Sequence, residues 1–263
     1  MSNETIDRSR TAAAYDALAA WYDRAISHGE LPLFDHLLYP AVQRVLGDVA
    51  ERSVLDLVCG PGHLSRRIAK RGAHVIGVDV SEEMLRRARE HARSSENAIA
   101  YYRMEPTALA ASWHSTFDIV VCNMALVDLE DLDGTLTEVR RVLRPAGRFV
   151  FSLIHPCFVM PGCEWVEDER GNKLFKRVDR YFEEGYFGKE WYGQGGLRSR
   201  LGGNHRTLTT YVRALRSHGF LVAALDEPKP DGHALRLHPQ VLGPQLRVPS
   251  MLVIEAVPDP RIL

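Results

Sequence analysis

The sequence predicts an α/β chain: a doubly wound, mostly parallel sheet of seven strands with helices packed between them. Three observations carry this reading. Short apolar runs alternate with helical patterns from residue 53 to residue 154. The run Val54-Leu55-Asp56-Leu57-Val58 leads into a glycine turn, Gly60-Pro61-Gly62. A second run, Val75-Ile76-Gly77-Val78, ends on the acid Asp79. Strand, glycine turn, helix, strand and carboxylate is the layout of a nucleotide-type cofactor site at the carboxyl edge of a parallel sheet. Glycine lets the backbone approach a ligand closely. The carboxylate can take two hydrogen bonds from a ribose diol.

The elements follow in order. Residues 11–27 read as a helix with Tyr15, Leu18, Ala19 and Tyr22 on one stripe, and 33–47 as a second helix interrupted near Pro40. Strands are expected at 53–58, 73–78, 98–103, 117–122 and 147–154, with helices at 63–71, 81–93 and 132–143. Ser81 is a good N-cap, with Met84, Leu85 and Ala88 spaced for burial. Pro145-Ala146-Gly147 marks a turn before a buried strand. The periodicity fails at 155–205, a Gly-, aromatic- and charge-rich stretch long enough to be an inserted cap. A helix at 207–218 closed by Gly219, then strands at 220–226 and 250–257, complete the sheet, with a mobile loop expected at 227–249. The expected organisation is therefore lid helices at 1–50, a cofactor-binding α/β domain at 51–154 and 206–263, and a substrate cap at 155–205.

The bulk numbers narrow the function classes. The chain has 263 residues, 45% hydrophobic and 25% charged, enough for a real core. Lys and Arg number 33 against 34 Asp and Glu, a net charge of -1, which gives no general basic field for nucleic acid. Cys59, Cys122, Cys157 and Cys163 form no Cys-x-x-Cys pair, and read as reduced thiols in a cytoplasmic protein. The polar first residues lack the apolar run of a secretion signal, and no stretch is apolar for long enough to span a bilayer. The histidines lack metal-site spacing, so no metal is expected. A nicotinamide dinucleotide fingerprint needs Gly-x-Gly-x-x-Gly, and Ser65 stands where its last glycine belongs.

These residues resemble the class I S-adenosylmethionine-dependent methyltransferases, whose Rossmann-like fold has the same element order. The family's first motif is Asp-x-Gly-x-Gly-x-Gly. Asp56, Gly60 and Gly62 match it, while Val58 replaces its first glycine and is expected to weaken cofactor binding. In the second motif the resemblance implies that Asp79 binds the ribose hydroxyls and Val80 packs on the adenine, with Met84 counted among the cofactor contacts. Glu105 takes the place of the family's adenine-contacting acid. The next residue commonly donates its N–H to the adenine, but Pro106 has none; Met104 or Thr107 supplies the donor, or the bond is absent. Phe117-Asp118 opens the fourth motif, and Asn123 ends its strand near the methionine moiety. Tyr15 and Tyr22 stand in an element like the family's lid helix, where tyrosines close over cofactor and substrate.

The resemblance implies methyl transfer from S-adenosyl-L-methionine to a nucleophilic N, O or C atom of a small molecule. Alternatives are an RNA or protein methyltransferase, or a non-methylating cyclase or binding protein on the same fold. His155 follows the fifth strand, and His205 leads a His-Arg element that family members bring beside the active site; either could be a general base. Both, with Tyr22, Trp191 and Tyr192, are the expected substrate contacts. The aromatics Tyr181, Phe187, Trp191 and Tyr192 either line an apolar pocket or hold the cap together. The expected partner is a small-molecule methyl acceptor, with nucleic acid and membrane disfavoured and a homodimer as a possible assembly.

Overall fold

A computed structural model describes residues 8–93, 98–188 and 201–262, the side chains of residues 8–11 aside. The sheet runs β1 (Ser53–Leu57), β2 (His74–Asp79), β3 (Ala100–Arg103), β4 (Phe117–Asn123) and β5 (Leu143–Ile154). Two small hairpins follow, β6 (Glu164–Glu167) with β7 (Lys173–Arg177) and β8 (Gly185–Phe187) with β9 (Gly203–His205). β10 (Phe220–Asp226) and β11 (Met251–Pro258) return to the main sheet. Its seven strands lie in the order β10-β11-β5-β4-β1-β2-β3, all parallel except β11, which runs antiparallel to both neighbours. β1 therefore pairs with β2 on one side and β4 on the other, Asp56 standing opposite Gly77 and Val121. This is the switch point where crossovers leave in opposite directions and open a crevice above the strand ends.

The helices are α1 (Arg8–Ser27), α2 (Tyr39–Leu46), α3 (His63–Ala69), α4 (Glu82–Ala92), α5 (Leu132–Val142), α6 (Leu208–Ser217), α7 (Gly232–Leu237) and α8 (Pro239–Leu242). Each long helix that follows a strand starts on a side-chain cap. Ser81 accepts from the Met84 N–H, Asp131 from Gly134 and Thr207 from Thr210. In α4 the acids Glu82 and Glu83 occupy the first turn and Arg89 and His91 the last, matching the helix dipole. The core lies between sheet and helices, with Phe117, Phe149, Phe151 and Phe220 fully buried.

Several expectations are corrected. The segment before α2 is not an interrupted helix. Phe34–Leu38 forms a π-helical turn that passes directly into α2, and Pro40 sits at the junction, where the wider turn accommodates its ring. The turn at 145–147 is an excursion within β5. Register slips between Phe117 and Ile119, so Asp118 faces the whole step from Leu143 to Arg148. Asp118 holds this corner by bonding Arg144 at 2.6 Å and the Ser53 N–H at 2.9 Å. The loop at 227–249 carries α7, α8 and a 3₁₀ turn at Gly243–Leu246, with Asp231 capping α7 and Leu242 buried. Among the described residues of 155–205, the strand pairs β6–β7 and β8–β9 are set between irregular segments.

Three backbone positions show how tightly the carboxyl edge of the sheet is built. A Cβ added at Gly77 would lie 2.6 Å from the Tyr101 ring and 2.9 Å from the Cys59 sulfur. Val58 has φ of 58°, the left-handed region, which a β-branched residue rarely adopts. Met124, at the end of β4, shares this strain with φ of 60°. Holding such a residue there costs on the order of 1–3 kcal/mol. Gly77→Ala is expected to destabilise by about 1–3 kcal/mol through overpacking. Val58→Gly is expected to change stability by less than about 1 kcal/mol, because strain relief is offset by the lost packing of the half-buried side chain and the added chain entropy. Thermal unfolding reads both, at about 2–4 °C per kcal/mol in a chain of this size.

Candidate active site

A cavity of about 340 Å³ opens over the ends of β1, β2, β4 and β5, within the ~300–1,000 Å³ usual for small-molecule sites. Its floor is the glycine turn. Gly60 has φ of 54°, and a Cβ there would meet nothing within 4 Å, so its open face is available to a ligand. Gly62 does different work. A Cβ there would come within 2.4 Å of the Tyr101 hydroxyl and 3.2 Å of Ala88, so this glycine packs helix on sheet and does not line the cavity.

Two buried carboxyls stand at the floor. Asp79 accepts the Gly60 N–H at 2.8 Å and the Ser81 N–H at 2.9 Å. Asp56 accepts the Ser65 hydroxyl at 2.5 Å. All these partners are neutral. Burial pushes Asp79 up to about 6 against its backbone hydrogen bonds. Burial, with the neighbouring Asp79 charge, pushes Asp56 up to about 7 against the Ser65 hydrogen bond. Buried acids without a cationic partner suit a ligand that brings hydroxyl donors and positive charge, which is what an adenosyl sulfonium compound offers.

The lid is α1. Asp16 accepts the Ser81 hydroxyl at 2.5 Å and the Glu83 N–H at 3.2 Å, tying α1 to the start of α4. One turn from the other end, buried Asp23 meets His63 at 3.0 Å, His91 at 2.9 Å and Arg87 at 3.3 Å. Burial would raise Asp23, but the hydrogen bonds and charges of His91 and His63 prevail and lower it. His63 is driven down to about 4 by burial and then by Arg66. Its Nδ1 faces the Arg66 guanidinium at 3.0 Å, so it accepts there and the Nε2–H donates to Asp23. These ties set Tyr15 and Tyr22 into the cavity wall.

Most expected contacts come together here. Tyr15, Tyr22, Asp56, Gly60, Asp79, Val80, Met84, Glu105 and Asn123 all line the cavity. Glu105 is exposed, and Pro106 beside it is buried against the same wall. Asn123 is oriented by the Ser152 hydroxyl, which donates to its Oδ1 at 2.8 Å.

The two histidines are not brought to this cavity, which corrects their expected place. His155 is buried and its Nδ1 accepts the Cys157 N–H at 3.2 Å, leaving Nε2–H to donate to Glu227 at 2.8 Å. Burial lowers its pKa, against the Glu227 hydrogen bond. His205 is buried and its Nε2–H donates to the Tyr181 carbonyl at 2.8 Å. Tyr181 accepts the Leu208 N–H on its hydroxyl at 2.9 Å, and neither it nor Phe187 lines the cavity. Trp191 and Tyr192 lie outside the described residues.

Other lining residues escaped the sequence reading. The segment 128–131 contributes Asp128, Leu129, Glu130 and Asp131. The apolar wall comes from Ile26, Leu31, Leu33, Phe34, Ile154 and Met251. The first group follows β4 at the carboxyl edge, so the strand order alone could have flagged it. The second group needs the path of the chain between α1 and α2, which no local pattern states.

Similarity to known proteins agrees with this geometry. A methyltransferase-domain family matches residues 54–147. A ubiquinone biosynthesis O-methyltransferase from Pseudomonas fluorescens (strain SBW25) is 30% identical over 211 residues, 76% of this chain and 89% of its own. Another, from Pseudomonas savastanoi pv. phaseolicola, is 28% identical over 239 residues, 86% of this chain and 100% of its own. The crystal structure of an S-adenosylmethionine-dependent methyltransferase from Mesorhizobium loti superposes with a TM-score of 0.71 at 32% identity, covering 82% of this chain and 95% of its own. Agreement at this level across most of both chains, on a sheet whose switch point holds the cavity, makes this chain a member of the S-adenosylmethionine-dependent methyltransferases.

Proposed function

We propose that the protein transfers a methyl group to a hydroxyl of a small, largely apolar acceptor. One observation carries this reading: besides the two buried carboxyls, the cavity is lined by the apolar side chains of Ile26, Leu31, Leu33, Phe34, Ile154 and Met251. That wall favours a ring or hydrocarbon body over a charged polymer. The O-methyltransferase names of the curated relatives agree with it. Among the described residues no helix is long and apolar enough to cross a membrane.

When bound, S-adenosylmethionine supplies an electrophilic methyl on a sulfonium centre. The chain's work is then placement. Asp79 would hold the ribose diol, its carboxylate already oriented by Gly60 and Ser81. Val80, Met84 and Glu105 would flank the adenine, and Asp56, Gly60 and Asn123 the amino-acid end. Tyr15 and Tyr22 would close over the reacting groups and exclude water. Asp128, Glu130 and Asp131 bring carboxylates to the cavity from the segment after β4, and one of them would take the hydroxyl proton as the methyl is transferred. His155 and His205 have no part in this step from the positions they hold.

The acceptor class is tested with labelled methyl donor offered beside catechol or an aliphatic amine of similar size. Methylated catechol is expected; methylation of the amine alone overturns the hydroxyl reading. Asp79→Asn keeps the shape but not the charge, and is expected to weaken S-adenosylhomocysteine binding about 10- to 100-fold, the range for one or two charge-assisted hydrogen bonds. Calorimetric titration reads it. Affinity for S-adenosylhomocysteine should also rise with pH. A diol binds the ionised carboxylate, and Asp79 is raised to about 6, so its ionised fraction grows roughly tenfold from pH 5 to pH 7.5. A pH-independent dissociation constant over that interval contradicts the assignment.

A further inference from the structure

The irregular segment after β4 builds the acceptor side of the cavity, and its backbone is held from outside. Leu126 and Val127 are buried, while Asp128, Leu129 and Glu130 line the cavity. A segment without helix or strand leaves carbonyls that need partners once buried. Two side chains from the end of the hairpin insert supply nearly all of them. The Arg206 guanidinium donates to the carbonyl of Leu126 at 3.0 Å, of Leu129 at 2.6 Å and of Glu130 at 2.8 Å. Asn204 donates its backbone N–H to Val127 at 2.6 Å and its amide to Val127 at 3.1 Å and Leu129 at 3.4 Å. Four of five consecutive carbonyls are thus gripped by two residues almost eighty positions away in sequence.

The grip is anchored on its other side by the insert. His205 donates to the Tyr181 carbonyl, the Tyr181 hydroxyl accepts from the Leu208 N–H, and Glu184 accepts the Thr207 N–H at 2.7 Å and the Thr210 hydroxyl at 2.6 Å. Residues 203–207 are therefore a strap between the insert and the cavity wall. The strap touches the segment that follows β4, beyond Asn123. The carboxyls assigned to the donor lie on β1 and β2, and the residues that flank the adenine lie at the ends of β2 and β3 or on α4.

We propose that Asn204 and Arg206 are positioning residues for the methyl acceptor, fixing the wall 126–130 and thereby the place of the acceptor relative to the donor. The proposal rests on the reading of the apolar end as the acceptor site. A fork of parallel donors is suited to this because it fixes carbonyl directions as well as distances. It also explains why His205 is buried beside the site without entering it: its ring anchors the strap.

The test compares the wild type with Arg206→Met and Arg206→Ala, using S-adenosylhomocysteine as donor-side probe and catechol as acceptor. Arg206→Met is expected to raise KM for catechol at least tenfold and to lower kcat, because the wall also carries the carboxylate given the proton, with S-adenosylhomocysteine affinity within about threefold of wild type. Amide hydrogen exchange is expected to accelerate at residues 126–130 and not at Gly60 or Ser81. Guanidinium ion at low millimolar concentration is expected to restore part of the lost KM in Arg206→Ala. An unchanged KM, or a loss of donor affinity equal to the rise in KM, overturns the proposal. If Arg206→Met does not fold, Arg206→Lys is read in its place, because it keeps the charge but not the fork, and the same split is expected. If the wild type does not methylate catechol, the hydroxyl-acceptor reading fails separately. The strap is then decided by exchange and donor affinity: faster exchange confined to 126–130 at unchanged affinity supports it, and unchanged exchange overturns it.

Discussion

Two carboxyls buried within a few ångströms of a glycine turn, with only neutral hydrogen-bond partners, are the constraint around which this molecule is arranged. A buried acid is costly unless something favours its charge. Here the protein supplies backbone N–H groups and one hydroxyl, and leaves the remaining capacity facing a cavity. Everything that positions those groups follows from the strand order. β1 must lie between β2 and β4 for Asp56 and Asp79 to face the same crevice. The turn after β1 must be compact enough for the Gly60 N–H to reach Asp79. The strained backbone at Val58 is part of holding that turn.

The strain at Val58 and at Met124 falls on the two strand ends that flank the switch point, and both residues line the cavity. Strain concentrated at a site is sustained by the packing beneath it. In this chain that packing includes Gly77 and Gly62, each pressed against Tyr101 with no room for a side chain. Helix α1 adds a second layer of ties. Asp16 and Asp23 each fasten α1 to the body through several hydrogen bonds, so the tyrosine-bearing stripe is held over the cavity at two points along the helix.

Much of this was legible in the sequence, and the reasons differ by element. Most of the main strands stand out because they are short apolar runs bounded by turn residues, and Ser81 and Thr207 announce their helices by capping chemistry. Asp79 is legible because it ends an apolar run one crossover after a glycine turn. The misplaced histidines show the limit. The position of His155 directly after β5 predicts a crevice-facing ring, but whether the ring turns to the ligand or to Glu227 depends on a loop 72 residues away. His205 is similar: its partner is the Tyr181 carbonyl inside the insert, where periodicity is weak. Gly62 matched a motif position yet serves helix packing, a distinction that only the Tyr101 ring reveals. The His-Arg element pointed to Arg206, but what the strap grips has no local signature, since its partners are backbone carbonyls.

The central claim is that Asp79 is a buried carboxyl kept waiting for a diol. Site-resolved carbon NMR of the aspartate carboxyls, titrated in the free protein and with S-adenosylhomocysteine bound, tests it most directly. The account predicts that Asp79 titrates near 6 when free and stays ionised well below that when the nucleoside is bound. An Asp79 titration that does not move on binding would contradict it.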